Sequence, residues 1–431
     1  MQAGYLRVAE RMVRAGCTAK GLTPGTPAEA EEWATGPWAV VRHLRLVAAS
    51  LASLRRRGNT SIGMVRRTAD DQLNVRVFPA NTIDGVLFAG ITVDVRMEAG
   101  MTEAELHASR AGFYKGRRHD GRTVLILGAG NLPGIPVMDV VTKLFNEGKV
   151  CLLKMNPVNA YLGPFIAEAF AEAVRRNYLA VVYGGAEEGA YLAQHSGIDE
   201  IHLTGSHRTY DALMWGPPGP EQDARKARGT PLISKPMTAE LGNVSPVLVV
   251  PGPYTDRELA FQAESIAGAF AHNASFNCNA PTMLVTPRGW PRRAGLLDAI
   301  ERALAGAPVR RAYYPGATER WQRLTARRAG SGPWARPDRG SFPGRCCRGS
   351  TPRTHASRRS RPSRSARSSR RRRSAATTRS SFWSEAWTSP TIAFGEPWRR
   401  SWWCTPRRSR TRASPRRSSA PSRDSATAWL R

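Results

Sequence analysis

Cys278 carries the strongest intrinsic chemistry in this chain of 431 residues. A thiolate is a strong nucleophile, and the unperturbed cysteine pKa of about 8.5 is within reach of activation. Cys278 follows a polar turn, His272-Asn-Ala-Ser-Phe-Asn277, which itself follows an apolar, helix-patterned stretch. Inert buried thiols are the commoner fate of cysteines, so the residue gains weight only from its companions. Glu240 stands in Ala239-Glu-Leu-Gly242. A carboxylate in an apolar setting takes a raised pKa and becomes a useful base, whereas at an open strand end it is only a solvated acid. Asn131 stands in Gly130-Asn-Leu-Pro133 and Ser206 in Thr204-Gly-Ser206. Turn formation and helix capping are the plainer uses of those two residue types.

In order and spacing, these four segments together resemble the aldehyde dehydrogenase superfamily. The resemblance spans residues from near 60 to 315. It implies that Cys278 attacks an aldehyde carbonyl, that Asn131 with the nucleophile's own amide holds the oxyanion, and that Glu240 activates the water that hydrolyses the thioester. It also implies hydride transfer to NAD or NADP. No G-x-G-x-x-G fingerprint is present; the family binds instead through a strand-end lysine, matched by Lys154, and a serine near the pyrophosphate, matched by Ser206 beside Gly205. Gly185 and Gly189 match the glycine-bearing turn and helix start. No metal is implied, and the family's homo-oligomers are the expected assembly.

Several positions depart from the family pattern. Lys154 is followed by Met155-Asn-Pro157 where a ribose-binding glutamate usually stands, which leaves NAD and NADP both open. Tyr210, Asn243 and Ser275 replace glycines. These changes point to a divergent branch, and an acyl-CoA reductase, with an acyl-CoA in place of the aldehyde, is the alternative enzyme. The Glu-x-Phe-Gly-Pro segment and the oligomer-forming strand that should follow the cysteine are not found after Tyr314.

The elements that must position these residues read as strand, turn, helix, repeated. Runs at Thr123–Leu127, Val150–Lys154, Leu179–Tyr183 and Glu200–Thr204 alternate with helical patterns at Ile135–Asn146, Leu162–Arg176 and Glu187–His195. That alternation predicts a parallel sheet covered on both faces, with ligands at the strand C-termini. Before it, Trp38–Arg57 has helical periodicity, while Leu73–Phe78 and Val86–Val95 alternate like strands. Pro217–Pro231 is rich in breakers and predicts a surface loop. The expected fold class is α/β: an aldehyde-dehydrogenase-like chain with a parallel Rossmann-type cofactor domain, an incomplete catalytic α/β domain and a disordered basic tail. The expected divisions are 1–120, an N-terminal segment contributing to the cofactor domain; 121–240, the dinucleotide-binding domain; 241–315, a truncated catalytic domain; and 316–431, the tail.

The net charge of +30 suggests a polyanionic partner until its distribution is seen. After Arg320 there are 28 arginines and 4 acidic residues, which leaves 36 basic and 30 acidic residues up to that point, an ordinary balance for an enzyme. After Tyr314 there is no Val, Lys, Asn, Tyr or Met and a single isoleucine, Ile392. Such a segment cannot bury enough apolar area to order itself. Three readings compete: a nucleic-acid-binding basic arm, a solvated linker, or translation out of frame from a GC-rich gene. Only a frameshift accounts for both the residues present and those missing, so it is the expectation here, and nucleic acid is a partner only if the tail is genuine. The six cysteines form no C-x-x-C pair, and no apolar run approaches the ~20 residues that span a bilayer. The expected setting is cytoplasmic, without a membrane.

Overall fold

The computed structural model describes residues 1–116 and 119–326. They form two compact units, one of residues 1–47 with 119–326 and the other of residues 48–116. The segment expected over residues 1–120 is shared between these two units.

The larger unit is built on a five-stranded sheet in the spatial order Leu179–Val182, Val150–Lys154, Thr123–Leu127, Glu200–Gly205, Met237–Leu241, with every pairing parallel. The run TVLIL becomes the central strand because both of its faces are covered. Val124 and Ile126 pack with Val137, Val140 and Leu153 on one side, while Leu125 and Leu127 pack with Ala193, Ile201 and Leu203 on the other. A strand buried on both faces reads as a continuous apolar run rather than an alternating one. The chain starts at this strand, adds two strands on one side, then crosses over and adds two on the other. The loops after Leu127 and Gly205 therefore leave the strand ends in diverging directions, which opens a crevice at the switch point of a doubly wound sheet.

The N-terminal helix Gln2–Lys20 lies against Gly163–Ala169, burying Tyr5, Val8 and Met12 beside Ile166 and Phe170. The contact requires glycine at position 4, where a Cβ would stand 2.1 Å from the Ala169 carbonyl oxygen. Beyond the sheet, Asp256–Ala271 and Arg293–Gly306 form a helix pair around Leu259, Ala263, Trp290 and Leu296. A short parallel pairing of Val247–Leu248 with Leu284–Val285 accompanies them.

The smaller unit is an antiparallel sheet of Val65–Arg67, Leu73–Phe78 and Val93–Arg96 over a core of Leu73, Val75 and Leu106. Strand was expected over Val86–Val95, but Thr82–Leu87 is helical because Asn81 caps it, accepting the Asp84 N–H. The expected loop at Pro217–Pro231 also contains a helix, Pro220–Arg228. Its proline opens the first turn, Glu221 and Asp223 sit at the positive end, Arg225, Lys226 and Arg228 at the negative end, and Gly229 closes it with φ 64°. The stretch Leu162–Arg176 is divided at Phe170 into Gly163–Ala169 and Ala171–Arg175. The boundary expected at 316 falls just before another helix, Ala317–Ala326, with Glu319 in its first turn. The remainder of the expected disordered tail lies outside the described residues. Among the described residues no helix is long and apolar enough to cross a membrane.

Candidate active site

Cys278 is delivered by an unusual turn. The helix Asp256–Ala271, started by a Thr255–Glu258 capping box, ends at His272, and three consecutive residues then adopt left-handed backbone: Asn273 (φ 52°), Ala274 (φ 52°) and Ser275 (φ 64°). Each costs roughly 1–2 kcal/mol for an L-residue with a Cβ, so surrounding contacts must hold the turn.

A buried polar junction supplies that hold. Asn273 is 1% exposed and donates through Nδ2 to the Asn131 carbonyl oxygen (3.0 Å) and to Asn277 Oδ1 (3.1 Å). Lys20 Nζ, from the end of the first helix, reaches Glu32 (2.6 Å), the Asn131 carbonyl oxygen (3.2 Å) and Asn273 Oδ1 (3.2 Å). The Tyr313 hydroxyl lies 3.1 Å from the same carbonyl oxygen and 3.0 Å from Asn273 Oδ1. Glu31 accepts the Asn273 N–H (3.2 Å) and pairs with Arg310 (2.6 Å). Sequence reasoning had found none of Lys20, Glu31, Glu32 and Tyr313, and no local motif could have revealed contacts across so many residues.

The junction brings the first strand's loop to the nucleophile turn. Asn131 Nδ2 donates to the Phe276 carbonyl oxygen at 2.9 Å, two residues before Cys278. Gly130 beside it lies close to the Asn156 side chain, where a Cβ would stand 2.6 Å from Asn156 Oδ1, so a larger residue would make that side chain move. Glu240 ends on the same locus: its strand leads to Asn243, whose N–H donates to the Cys278 carbonyl oxygen at 3.2 Å. Asn131, Glu240 and Cys278 are thus gathered at the C-terminal edge of the sheet.

Their electrostatics are coupled. Burial raises the Glu240 pKa, the charge of His202 lowers it and that of Asp139 raises it. Cys278 is exposed as a residue, yet protein around its sulfur is the main influence raising the thiol pKa. The N–H groups of Cys278 and Asn279 favour the thiolate, and the Glu240 charge opposes it. Below Glu240, His202 Nδ1 lies 2.7 Å from Thr238 Oγ1 and its Nε2 lies 3.5 Å from Asp139 Oδ1.

The residues matched to cofactor contacts fall into two groups on the same edge. Lys154 is 6% exposed; its Nζ donates to the Gly184 carbonyl oxygen at 2.6 Å, and burial lowers its pKa. Its stem passes Gly189, where a Cβ would meet Lys154 Cε at 3.6 Å. Gly185 caps the Ala186–Gln194 helix and donates its N–H to Glu188 at 2.6 Å. Ser206 caps His207–Trp215, accepting the Thr209 N–H at 3.1 Å, and Gly205 pairs in register with Leu241. A cavity of about 360 Å³ opens at the opposite, N-terminal ends of the strands beside Thr123, Val150 and His195, and none of these site residues lines it.

The fold is similar to that of several solved structures. Among solved structures, the NADP-dependent glyceraldehyde-3-phosphate dehydrogenase from Bacillus halodurans C-125, complexed with NADP, is similar at 14% identity over 80% of this chain and 61% of its own, with a TM-score of 0.50. Gox0499, from a study of cofactor and substrate selection, is similar at 15% identity over 79% and 62%, also with a TM-score of 0.50. The substrate-bound AldH of Staphylococcus aureus is similar at 17% identity over 76% and 58%, with a TM-score of 0.47. The chain therefore spans between 58% and 62% of the length of these three structures. Residues 123–317, which carry the sheet and the cysteine turn, match the model of the aldehyde dehydrogenase family.

Proposed function

We propose that this site oxidises an aldehyde to its acid with NAD or NADP, through a covalent intermediate on Cys278. The observation that carries the reading is the meeting of three chain segments at one point: Asn131 with Phe276 at 2.9 Å and Asn243 with Cys278 at 3.2 Å. The Cys278 thiolate adds to the carbonyl carbon, and the Asn131 amide with the Cys278 N–H stabilises the oxyanion. A bound nicotinamide supplies the hydride acceptor. Glu240 then takes a proton from water, the resulting hydroxide attacks the thioester carbonyl, and the C–S bond breaks with its electron pair returning to sulfur. The buried ammonium of Lys154 and the helix N-terminus behind Ser206 are a donor set suited to a ribose and a pyrophosphate.

A chromogenic ester such as p-nitrophenyl acetate tests the two protein-borne steps without a cofactor. Cys278→Ser should abolish acylation, and Glu240→Gln should slow deacylation by ~10²–10⁴-fold, leaving a single burst of nitrophenolate. Hydrolysis unchanged in both variants would overturn the reading. Deacylation should rise with pH through a limb above the ordinary carboxylate range, because the Glu240 pKa is raised. Alkylation of Cys278, followed by peptide mapping, should be slow at neutral pH and accelerate above it, and Glu240→Gln should speed it by removing a charge that disfavours the thiolate.

We also infer that turnover of the whole cycle is impaired in this chain. The support is the family's C-terminal segment, not found after Tyr314, and the apolar side chains left open in the catalytic half. Aldehyde-dependent reduction of NAD or NADP by the purified 431-residue chain at rates typical of enzymes would refute the impairment.

A further inference from the structure

His202 and Asp139 belong to none of the motifs that identify the site, yet the fold stacks them beneath its base. On the adjacent strands Glu200–Gly205 and Met237–Leu241 the register pairs Thr204 with Glu240 and His202 with Thr238. Side chains two apart on a strand share a face, so His202, Thr204, Thr238 and Glu240 all lie on one side of the sheet. Asp139, from the helix Ile135–Phe145, comes down on that side. It accepts a hydrogen bond from Thr204 Oγ1 at 3.1 Å and stands 3.5 Å from His202 Nε2. The other imidazole nitrogen is 2.7 Å from Thr238 Oγ1, so each ring nitrogen has a polar neighbour, and His202 is only 9% exposed.

An imidazole and a carboxylate this well enclosed are seldom retained for packing alone, since apolar residues of similar volume serve as well. Resting on the base assignment of Glu240, we propose that the His202–Asp139 pair is a positioning device for Glu240, governing its protonation and therefore the water-activating step. The charged and titratable groups around the pair are His43, whose pKa burial lowers and Asp139 raises, Glu240 on the neighbouring strand, and Cys278, which senses Glu240. When the imidazole carries a proton its charge favours the ionised Glu240, and the Asp139 carboxylate opposes that effect.

The two members of the pair act with opposite sign, and this separates an electrostatic role from a structural one. The experiment is the pH profile of deacylation after p-nitrophenyl acetate acylates the full 431-residue chain. His202→Asn should move the rising limb to higher pH, because Asp139 then acts on Glu240 unopposed. Asp139→Asn should move it to lower pH. If one single variant does not fold, the other still gives its shift, and the double variant should return the limb toward that of the parent chain. Rates that fall in either variant with the limb unmoved, or limbs that move in the same direction, would overturn the proposal. A parent chain that deacylates no faster than Glu240→Gln would overturn the base assignment itself, and this inference with it.

Discussion

The two halves of the larger unit meet at the same active-site edge but are built to different standards. From Thr123 to Leu241 the chain forms five parallel strands, with Val124, Leu125, Ile126 and Leu153 fully buried. From Asn243 to Tyr314 there is one helix pair and a pairing of two-residue strands, while Leu248, Val250, Phe261 and Val309 stay at least half exposed. Burying a large apolar side chain is worth about 1.5–3 kcal/mol, so the second half forgoes stabilisation that the first half has. The first half is covered on both faces of its sheet, and the second leaves several apolar side chains open. Strength in one half does not transfer to the other, and the cysteine sits on the weaker side.

The largest expected effect would erase the difference. If the tail arose from a shifted frame, resequencing the gene across codons 305 to 330 should uncover a frame containing valine and lysine. The corrected chain should then cover the open apolar faces and become more soluble. An unbroken frame with ordinary codon usage would sink the frameshift, and salt-sensitive DNA binding that maps to residues 321–431 would replace it. The next effect breaks the link between the halves. Lys20→Met should cost about 3–5 kcal/mol in denaturant unfolding, because it leaves Glu32 buried without its cation, and it should loosen the cysteine turn at the same time. A loss under about 1 kcal/mol would mean that the junction does not bear on stability. The smallest effect sharpens the contrast from within. Ser275→Gly removes a left-handed serine whose Oγ is buried without a hydrogen-bond partner, and it should stabilise the chain by about 1 kcal/mol. An unchanged or lower denaturation midpoint would show that the strain is already relieved.

Much of the fold could be read from the sequence wherever one segment carried its own signal. The strands TVLIL and VCLLK and the helix Asp256–Ala271 are apolar runs and periodicities that tertiary packing only confirmed. The helix Pro220–Arg228 was missed because its flanking glycines and its proline were weighed as breakers, although proline at a first helical turn and glycine just past the last are also how a helix begins and ends. Asn131, Glu240 and Cys278 were singled out by their motifs, and the segments that carry them meet at one edge of the sheet. The groups that surround them did not: His202 meets Asp139 only through strand register and a crossing helix, and Lys20 meets Asn273 only through the folded core. Such contacts leave no periodicity in the sequence.

The junction at Asn273 has a consequence for the order in which the molecule is made. Lys20 and Asn273 are 253 residues apart, and Tyr313 and Asn131 are 182 apart. Contacts of such separation must first overcome the entropy of closing a long loop, and they form late and slowly. On a ribosome the sheet from Thr123 to Leu241 can be complete while the cysteine turn is still unmade. The first helix must then wait, with its buried lysine unpartnered by the loop it will hold, until the chain has been extended past Tyr313. The cysteine turn is thus the last part of this edge to be fixed, after the sheet it rests on has been built.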